Sequence, residues 1–514
     1  MKKQTIYSRI STAIFAVWAV FSGLTLLLVL LLRGSEDYFA KAETALPSVA
    51  ALFILGVIAT VFYLWSAKPA KTVSRRPIWL LSAGLFVIQI ILFYNIYFLS
   101  GWDTLYLTNA AKLITSPDYT GMTSSYLSMY PNNLLLTWLY SVLFPAGTAL
   151  GLHWAYFVIL IQCALAVLGG LMLFSLASDL TTPAAAYFVW AVYAIHIGLS
   201  PWLGILYSDP ITLCVPIATL YLYHQAQNGR RVPLKWCAIG VLACVGYLIK
   251  PFSAITAIAV VLVSLFHGRE KRELCAALKA CAAFALTVAA VFGIFKTVII
   301  PSTKLELDPE ARLGAPHFLM MGLNEERNGT WNLMDVVFST SQPDRSARDT
   351  ANLRVFAERL REMGLPGVAE HGKKKLLVNF ADGTYAWGKE GGFYNQILPE
   401  PNDSLSPFLR NLFYDYGENY KYWESTQNII WYILLLGSCY GAFAAIRRRE
   451  QTPIVTALYL SLLGISAYVM IFESRARYLF IYAPVFLLAA AYGLKKDGQA
   501  KERKKSRKNR RSPS

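Results

Sequence analysis

The stretch PIWLLSAGLFVIQIILFYNIYFLSGWD, residues 77–103, ends a long apolar run with a carboxylate. Residues 78–100 can cross a bilayer as one helix, which takes about 20 apolar residues. Gly101-Trp102-Asp103 then places an acidic group at the end of that helix. Because a charge costs roughly 2.5–3.5 kcal/mol at the bilayer centre, we expect Asp103 at the membrane edge.

A second charged cluster, Glu473, Arg475, Arg477 and Tyr478, lies between the apolar runs 453–472 and 478–494. The planar guanidinium fork matches phosphate oxygens. The alternative is that these arginines pair with Glu473 and anchor the chain at the membrane surface. A carboxylate and guanidinium groups on one side of a membrane favour a site for an anionic, lipid-borne substrate.

The composition is that of a polytopic membrane protein. The chain has 514 residues, of which 55% are hydrophobic, and a mean hydropathy of +0.42. Its net charge of +17 is partly local, since residues 495–514 hold ten Lys and Arg against two Asp and Glu. After a membrane helix, such a tail favours the cytoplasmic side and anionic headgroups, so we expect the lipid bilayer as a partner and no nucleic acid.

Apolar runs of membrane-spanning length predict an all-α fold with about twelve spans. Residues 236–266 are interrupted by Lys250-Pro251, which predicts two short helices meeting at a turn. The other predicted spans are 11–33, 46–66, 78–100, 152–177, 183–199, 203–224, 274–299, 428–446, 453–472 and 477–494.

Charge asymmetry orients these spans. Loop 34–45 and loop 301–427, which has 14 Lys and Arg against 18 Asp and Glu, are expected outside. This orientation puts Asp103, Asp209, Lys250 and Glu473 on the outer face, and residues 133–149 there as a juxtamembrane or re-entrant helix. The predicted regions are a cytoplasmic N-terminus 1–10, a membrane region 11–300 with outer loop 101–132, an outer subdomain 301–427, membrane helices 428–494 and a cytoplasmic tail 495–514.

Two acidic residues have a structural and a chemical interpretation. Asp103 either marks where a helix meets water or acts as a general base that takes the proton of an attacking hydroxyl. Asp209, in Tyr207-Ser208-Asp209-Pro210, either caps a helix that Pro210 begins or serves as a second acidic group for a divalent cation or a sugar.

Four further residues have open alternatives. Asn132 and Asn133, after Tyr130-Pro131, cap the following helix or bind sugar hydroxyls. Lys250 extends to the interface or meets a lipid phosphate. His317 packs among apolar neighbours or lines the substrate cleft. We find no nucleotide-binding motif, so a nucleotide-sugar donor or ATP is not expected.

Taken in order, these motifs resemble the integral membrane glycosyltransferases of the type C fold (GT-C), near the protein O-mannosyltransferase and bacterial aminoarabinose transferase families. The motifs are Asp103 with Tyr130-Pro131-Asn132-Asn133 behind it, then Ser208-Asp209, then Arg475, Arg477 and Tyr478. The resemblance covers roughly residues 78–494 in layout. Thr104 stands where the mannosyltransferases have Glu, and Tyr130-Pro131-Asn132 stands where they have His-Pro-Pro.

The resemblance implies a GT-C fold with about twelve membrane helices, juxtamembrane helices and a large extracytoplasmic loop. It implies a polyprenyl-phosphate-linked sugar as donor and an envelope glycan, lipid or protein as acceptor. Arg475, Arg477 and Lys250 would stabilise the leaving phosphate while Asp103 activates the acceptor, which inverts the anomeric carbon. The substrate-binding residues would be Tyr130, Asn132, Asp209, Glu473, Tyr478 and His317.

Two other functions use similar parts. One is a transporter or flippase for polyprenyl-linked glycans, although such proteins place polar groups at the midplane and show internal repeats. The other is a glycan polymerase or ligase with arginines in a large outer loop. No cofactor is expected beyond a divalent cation held by Asp103 and Asp209. We expect a multi-pass protein of a bacterial plasma membrane.

Overall fold

The structure is a computed structural model that describes residues 2–32, 74–229, 231–267, 271–398 and 405–495. The predicted span 46–66, the loop 34–45 and all but the first residue of the basic tail lie outside the described residues. The described chain is largely helical, as the apolar runs predict.

The helices are, in chain order, α1 (Lys2–Leu32), α2 (Pro77–Ile96), α3 (Asp103–Ile114), α4 (Ser125–Met129), α5 (Leu134–Ala149), α6 (Trp154–Leu180), α7 (Pro183–Tyr193), α8 (Ser208–Thr212), α9 (Val215–Asn228), α10 (Val232–Ile249), α11 (Ile255–His267), α12 (Lys271–Ile294), α13 (Ala315–Gly322), α14 (Leu333–Thr340), α15 (Arg345–Phe380), α16 (Leu405–Phe413), α17 (Tyr420–Arg447), α18 (Pro453–Ile471) and α19 (Ala483–Gly493). Short 3₁₀ or π segments join or extend them at Pro131–Asn133, Ala194–Gly198, Pro201–Gly204, Pro251–Ala254, Phe295–Ile299, Pro309–Ala311, Trp387–Gly391 and Ala476–Tyr482.

Eight described helices are long and apolar enough to cross a membrane. They are Ile6–Leu32, Pro77–Ile96, Trp154–Leu180, Val232–Ile249, Arg272–Ser302, Tyr420–Arg447, Pro453–Ile471 and Ala476–Gly493, with the shorter apolar helices Pro183–Gly198 and Pro251–His267 beside them. The described residues therefore do not confirm a count of about twelve spans.

The chain breaks within one predicted span and turns where a second break is predicted. Residues 203–224 do not form one helix, because the chain is extended at Ile205 and Tyr207 before α8 begins at Ser208. The predicted turn at Lys250-Pro251 is confirmed: Lys250 is extended at φ −148° and ψ 100°, between α10 and α11. Both breaks place polar side chains at helix ends.

Close packing of α17 on α19 forms part of the membrane core. Gly437 and Gly441 are four residues apart on one face of α17, a spacing of small residues that lets membrane helices approach closely. A Cβ at Gly437 would lie 2.8 Å from the Cβ of Ala490. Trp431 and Phe486 pack edge to face in the same layer, with ring centroids 4.8 Å apart.

Two short ladders tie loops that are far apart in sequence. β1 (Phe98–Ser100) pairs antiparallel with β4 (Tyr394–Ile397), and β2 (Met122–Thr123) pairs parallel with β3 (Leu305–Glu306). The first ladder holds the segment before Asp103 against residues 394–397 of loop 301–427, and the second holds residues 122–123 against the start of that loop. Both ladders lie at the end of the helix bundle where the candidate site assembles, here called the site end.

Loop 301–427 contains the long helix α15. The periodicity of residues 349–362 predicts a helix that Gly364 ends, and α15 is kinked at Gly364, where φ is +55°. Glycine adopts that conformation with little strain. Leu134–Ala149 forms the expected helix, and with 16 residues it is not among the helices long enough to span.

Candidate functional site

The joint between α18 and the last membrane segment is not helical, and it presents the charged cluster. Phe472 and Arg475 have extended backbones, so the chain leaves one helix and starts the next over four residues. The Ser474 amide donates a 2.7 Å hydrogen bond to the Gly329 carbonyl of loop 301–427. Two side chains of this joint, Glu473 and Arg475, point into one polar cluster.

Arg475 is held by two carboxylates. Its Nε donates to Glu473 at 2.7 Å and a terminal nitrogen donates to Glu390 at 2.9 Å. Tyr478 donates to the second oxygen of Glu473 at 2.8 Å. The Arg475 side chain is 21% exposed, and among the described residues its other terminal nitrogen has no partner. The pair with Glu473 foreseen as an alternative therefore forms, and one edge of the guanidinium stays open.

Arg477 lies deeper, inside a cage of aromatic rings. Its guanidinium carbon is 4.3 Å from the Trp102 ring centroid, 5.1 Å from that of Tyr207 and 5.4 Å from that of Trp202. Its Nε is 3.5 Å from Asp209. Within the described chain, its Nε and one terminal nitrogen make no hydrogen bond of normal geometry. A weakly hydrated, planar cation suits such a site better than an ammonium group would.

Asp209 pairs with Lys250 across two helix ends. The Lys250 Nζ lies 2.5 Å from Asp209 Oδ1 and donates to Ser208 at 3.2 Å. Both charged side chains are at most 5% exposed. Neither Ser208 nor Asp209 caps the helix, because Tyr207 holds the capping position and its side chain makes no capping bond. The capping alternative for Asp209 is therefore wrong.

Asp103 joins this cluster through Tyr207. It is the first residue of α3 and is half-buried, and it accepts a 3.1 Å hydrogen bond from the Tyr207 hydroxyl. That is the one side-chain hydrogen bond Asp103 makes among the described residues. The ring of Tyr207 also faces Arg477 and Lys250. The predicted convergence of Asp103, Asp209, Lys250 and Glu473 at one end of the bundle is thus what the structure shows.

The sequence of the chain matches the model of one protein family, described as a conserved hypothetical integral membrane protein, over residues 6–497. The chain belongs to that family. A search by sequence among curated proteins found no match.

In fold, the chain is similar to the archaeal oligosaccharyltransferase AglB from Archaeoglobus fulgidus, solved with an inhibitory peptide and a dolichol-phosphate (TM-score 0.41, 13% identity, 84% of this chain). It is also similar to ArnT from Cupriavidus metallidurans in the apo state (TM-score 0.34, 14% identity, 82% of this chain and 78% of that one). The chain spans about half of AglB, 52% of its length. At these TM-scores the likeness gives no residue-by-residue correspondence, so the roles proposed below rest on this chain's own geometry.

Tyr130 and Asn132 lie at the edge of the candidate site. Burial raises the pKa of Tyr130 to about 12, with Asp103 and Glu473 adding to the shift and a hydrogen bond with Trp331 opposing it. Asn132 is half-buried and donates weakly to Asn133 at 3.5 Å. Asn133 holds the capping position of α5 without a capping bond from its side chain. The side-chain cap expected from Asn132 or Asn133 is therefore wrong.

His317 is fully buried and does not line an open cleft. Its Nδ1 lies 2.7 Å from the Ser339 hydroxyl, and burial lowers its pKa to about 4. The packing alternative is correct for this residue, because α14 covers it.

Glu390 and Lys375 were not foreseen from the sequence. Glu390 lies in the short π segment Trp387–Gly391 and reaches both Arg475 and Arg477, at 2.9 and 3.7 Å. Lys375 is 1% exposed and donates to the carbonyls of Gly322 and Phe472 at 2.8 and 2.6 Å. Charge balance was the available signal for Glu390, since two arginines beside a single glutamate predict a further carboxylate.

The pKa of Glu473, in the joint after α18, differs from its ordinary value. Burial alone would raise the pKa of Glu473, but the adjacent Arg475 and the hydrogen bond from Tyr478 lower it, and the net shift is downward. Glu473 is therefore a fixed anion that orients Arg475.

A divalent cation at Asp103 and Asp209 stays a prediction. In the part of the chain that the structure describes, no group of three His, Cys, Asp or Glu side chains is placed to hold a metal ion. Each oxygen of Asp209 faces a cationic nitrogen, Lys250 at 2.5 Å and Arg477 at 3.5 Å. This carboxylate is thus charge-compensated by the protein, and Asp103 is the more open of the two. All seven cysteines are free thiols.

Proposed function

We propose that this protein is a membrane glycosyltransferase that moves a sugar from a polyprenyl-phosphate donor to a cell-envelope acceptor on the extracytoplasmic face. The observation that carries this proposal is the pairing of one accessible carboxylate with a fixed set of cations. Asp103 is half-buried with a single side-chain partner, and Tyr207 connects it to Arg477 and Lys250.

The cationic side chains of the site supply hydrogen-bond donors in fixed orientations, because nearby carboxylates cancel their net positive charge. Asp209, Glu390 and Glu473 balance Lys250, Arg475 and Arg477 in number. The carboxylates hold the guanidinium planes in place, which leaves the open edge of Arg475 aimed away from Glu390 and Glu473. Donors fixed before the reaction stabilise developing charge at little reorganisation cost. A leaving lipid phosphate is the anion that this edge would receive.

The proposed reaction is a single displacement. The acceptor hydroxyl oxygen forms a bond to the anomeric carbon as the bond from that carbon to the phosphate oxygen breaks. The phosphate leaves with the bonding electrons and is met by Arg475. Asp103 takes the hydroxyl proton from the opposite face of the sugar, and the anomeric configuration inverts.

Tyr130, Tyr478 and Asn132 would bind the sugar or acceptor at the edge of this site. Tyr130 lies where Asp103, Glu473 and Arg475 all act on its hydroxyl. Tyr478 is half-buried and already donates to Glu473, so its ring rather than its hydroxyl is available for contact.

The test is a profile of lipid-linked sugars in cells that lack the gene, measured by mass spectrometry together with envelope glycan composition. Accumulation of one polyprenyl-phosphate sugar, with loss of one glycan decoration, is the expected result. A complete oligosaccharide accumulating on polyprenyl diphosphate inside the cell would instead identify a flippase and refute the proposal.

A further inference from the structure

Helix α14 buries two polar side chains and exposes apolar ones, which is the opposite of the usual pattern for a helix at a protein surface. Asp335 is 3% exposed and Ser339 is fully buried. Arg359 and Asn324 donate to the Asp335 carboxylate at 2.6 and 2.9 Å. Ser339 donates to Asn352 at 2.9 Å. The buried side of α14 is therefore anchored by a network of buried polar side chains.

The opposite side of α14 is apolar and open. Leu333, Met334 and Val337 are 56%, 67% and 49% exposed, and their spacing puts them on one helical face. Trp331, two residues before the helix, is 45% exposed beside them. These four residues are here called the lip. A helix in contact with water normally shows the reverse arrangement, with apolar residues buried and polar residues exposed.

The lip lies level with the end of a membrane-spanning helix. Gly322 packs against the last turn of α18, so closely that a Cβ there would be 2.6 Å from the Ile471 carbonyl. The amide of Ser474 bonds to Gly329, two residues before Trp331. Trp331 lies close enough to Tyr130, at the edge of the site, to lower the pKa of that tyrosine. The lip therefore lies beside the end of α18, a helix long and apolar enough to cross a membrane.

We propose that the lip inserts into the lipid leaflet at the site end and that α14 is an interfacial helix. The occupant is the acyl-chain region of the bilayer just below the headgroups. An apolar helix face with a tryptophan at its start fits that depth, because Trp favours membrane interfaces and apolar faces lie in the acyl boundary. The inference holds whether or not the protein transfers a sugar.

Insertion of the lip would place the entrance of the candidate site at the membrane surface. His317 of α13 hydrogen-bonds Ser339 in the network that anchors α14. At the end of α13, Lys375 donates both to the Gly322 carbonyl and to the Phe472 carbonyl at the joint that bears Glu473 and Arg475. A lip fixed in the leaflet therefore sets the height of the cations above the acyl chains.

The experiment places a fluorescent label on the lip of the full-length protein in nanodiscs. In a Cys275→Ser background, which removes the exposed cysteine, Met334→Cys carries an environment-sensitive NBD label. The matched control is Arg354→Cys on α15 of the same loop, where the native side chain is 68% exposed. Phosphatidylcholine with brominated acyl chains serves as the quencher.

We expect blue-shifted emission at position 334, with more than half of its intensity lost to brominated lipid, and neither effect at position 354. An unquenched, water-like spectrum at 334 would overturn the proposal. So would equal quenching at both positions, which would put the whole loop on the bilayer. Quenching at 334 that added polyprenyl phosphate abolishes would assign the lip to that lipid's chain and also overturn the proposal.

Discussion

Arg477 shows how far the site relies on charges removed from water. Its side chain is 4% exposed, it stacks on Trp102, and its nearest carboxylate oxygens are 3.5 and 3.7 Å away. Burying an ion costs several kcal/mol unless partners compensate it. The aromatic cage and two carboxylates supply that compensation in part, so the free terminal nitrogen retains the capacity to donate.

Asp103→Asn tests the general base. The amide keeps the size of the carboxylate but takes no proton, so we expect the rate of transfer to fall about 10²- to 10⁴-fold while membrane insertion and thermal unfolding stay unchanged. Rates are measured in proteoliposomes with a polyprenyl-phosphate sugar. The control is Asp118→Asn, an exposed carboxylate of the same loop. Wild-type rates in Asp103→Asn would remove the base assignment.

Glu390→Gln tests the residue that bridges the two arginines. Losing one partner of a buried ion pair costs roughly 3–5 kcal/mol, and the amide recovers only part of that. We expect a lower unfolding temperature and a raised KM for donor, because Arg475 loses its second support. Glu358→Gln is the control, since its pair with Arg354 is exposed and 3.8 Å apart. Equal behaviour of the two variants would show that Glu390 does not position the arginines.

At the scale of elements, the close contact of α13 with the end of α18 positions the segment that carries Glu473 and Arg475. Gly322→Ala would place a Cβ 2.6 and 2.7 Å from the carbonyls of Ile471 and Phe472, so the elements must separate. We expect activity to fall on the order of ten- to a hundred-fold, the size of effect that a small misplacement of catalytic groups produces. The measurement is the rate of sugar transfer from the donor, compared with the wild type at equal expression level.

Gly372→Ala is the matched control for that substitution. A Cβ at Gly372 meets nothing within 4 Å, so alanine should be neutral or stabilise α15 by up to about 1 kcal/mol. Full activity in Gly322→Ala would show that the joint tolerates displacement.

Lys375, which bonds to both α13 and the joint after α18, makes the stability of the folded protein depend on pH. Burial lowers its pKa to about 7, while Glu473 opposes the shift. The unfolded chain keeps its proton up to its ordinary pKa of 10.5, so above pH 7 it binds more protons than the folded protein and stability rises with pH towards 10. The slope is at most about 1.4 kcal/mol per pH unit.

Lys375→Met removes this titration. We expect the difference in unfolding temperature, wild type minus variant, to grow between pH 7 and 10 in detergent-solubilised protein. A difference that is constant across that range would mean that Lys375 does not change its protonation there.

For the whole molecule, the charge asymmetry between loops predicts the side of the membrane on which the site lies, and that side can be measured. We expect Asp118→Cys, in a Cys275→Ser background, to react with a membrane-impermeant maleimide in intact cells. Arg449→Cys, at the opposite end of the bundle, should react only after permeabilisation. The reverse pattern would put the site in the cytoplasm and exclude a donor on the outer leaflet.

Hydropathy and charge predict the helices and gather the charged residues at one end, because both signals are local in sequence. The break at Lys250-Pro251 is readable for the same reason, since proline restricts its own neighbourhood. Asp209-Pro210 indicates a helix start, but the extended stretch 205–207 before it is as apolar as the residues around it, so hydropathy alone predicts one continuous span. Glu390 and Lys375 depend on contacts between distant segments, and no local pattern announces those contacts.

The wide separation in sequence of the charged residues in the site also sets an order for biosynthesis. A ribosome adding about 5–20 residues per second needs roughly 20–75 s to travel from Asp103 to Arg477. Asp209 and Lys250 can neutralise each other within that interval, before either arginine exists. The first ion pair can therefore form early, and the site is complete only when translation is nearly finished.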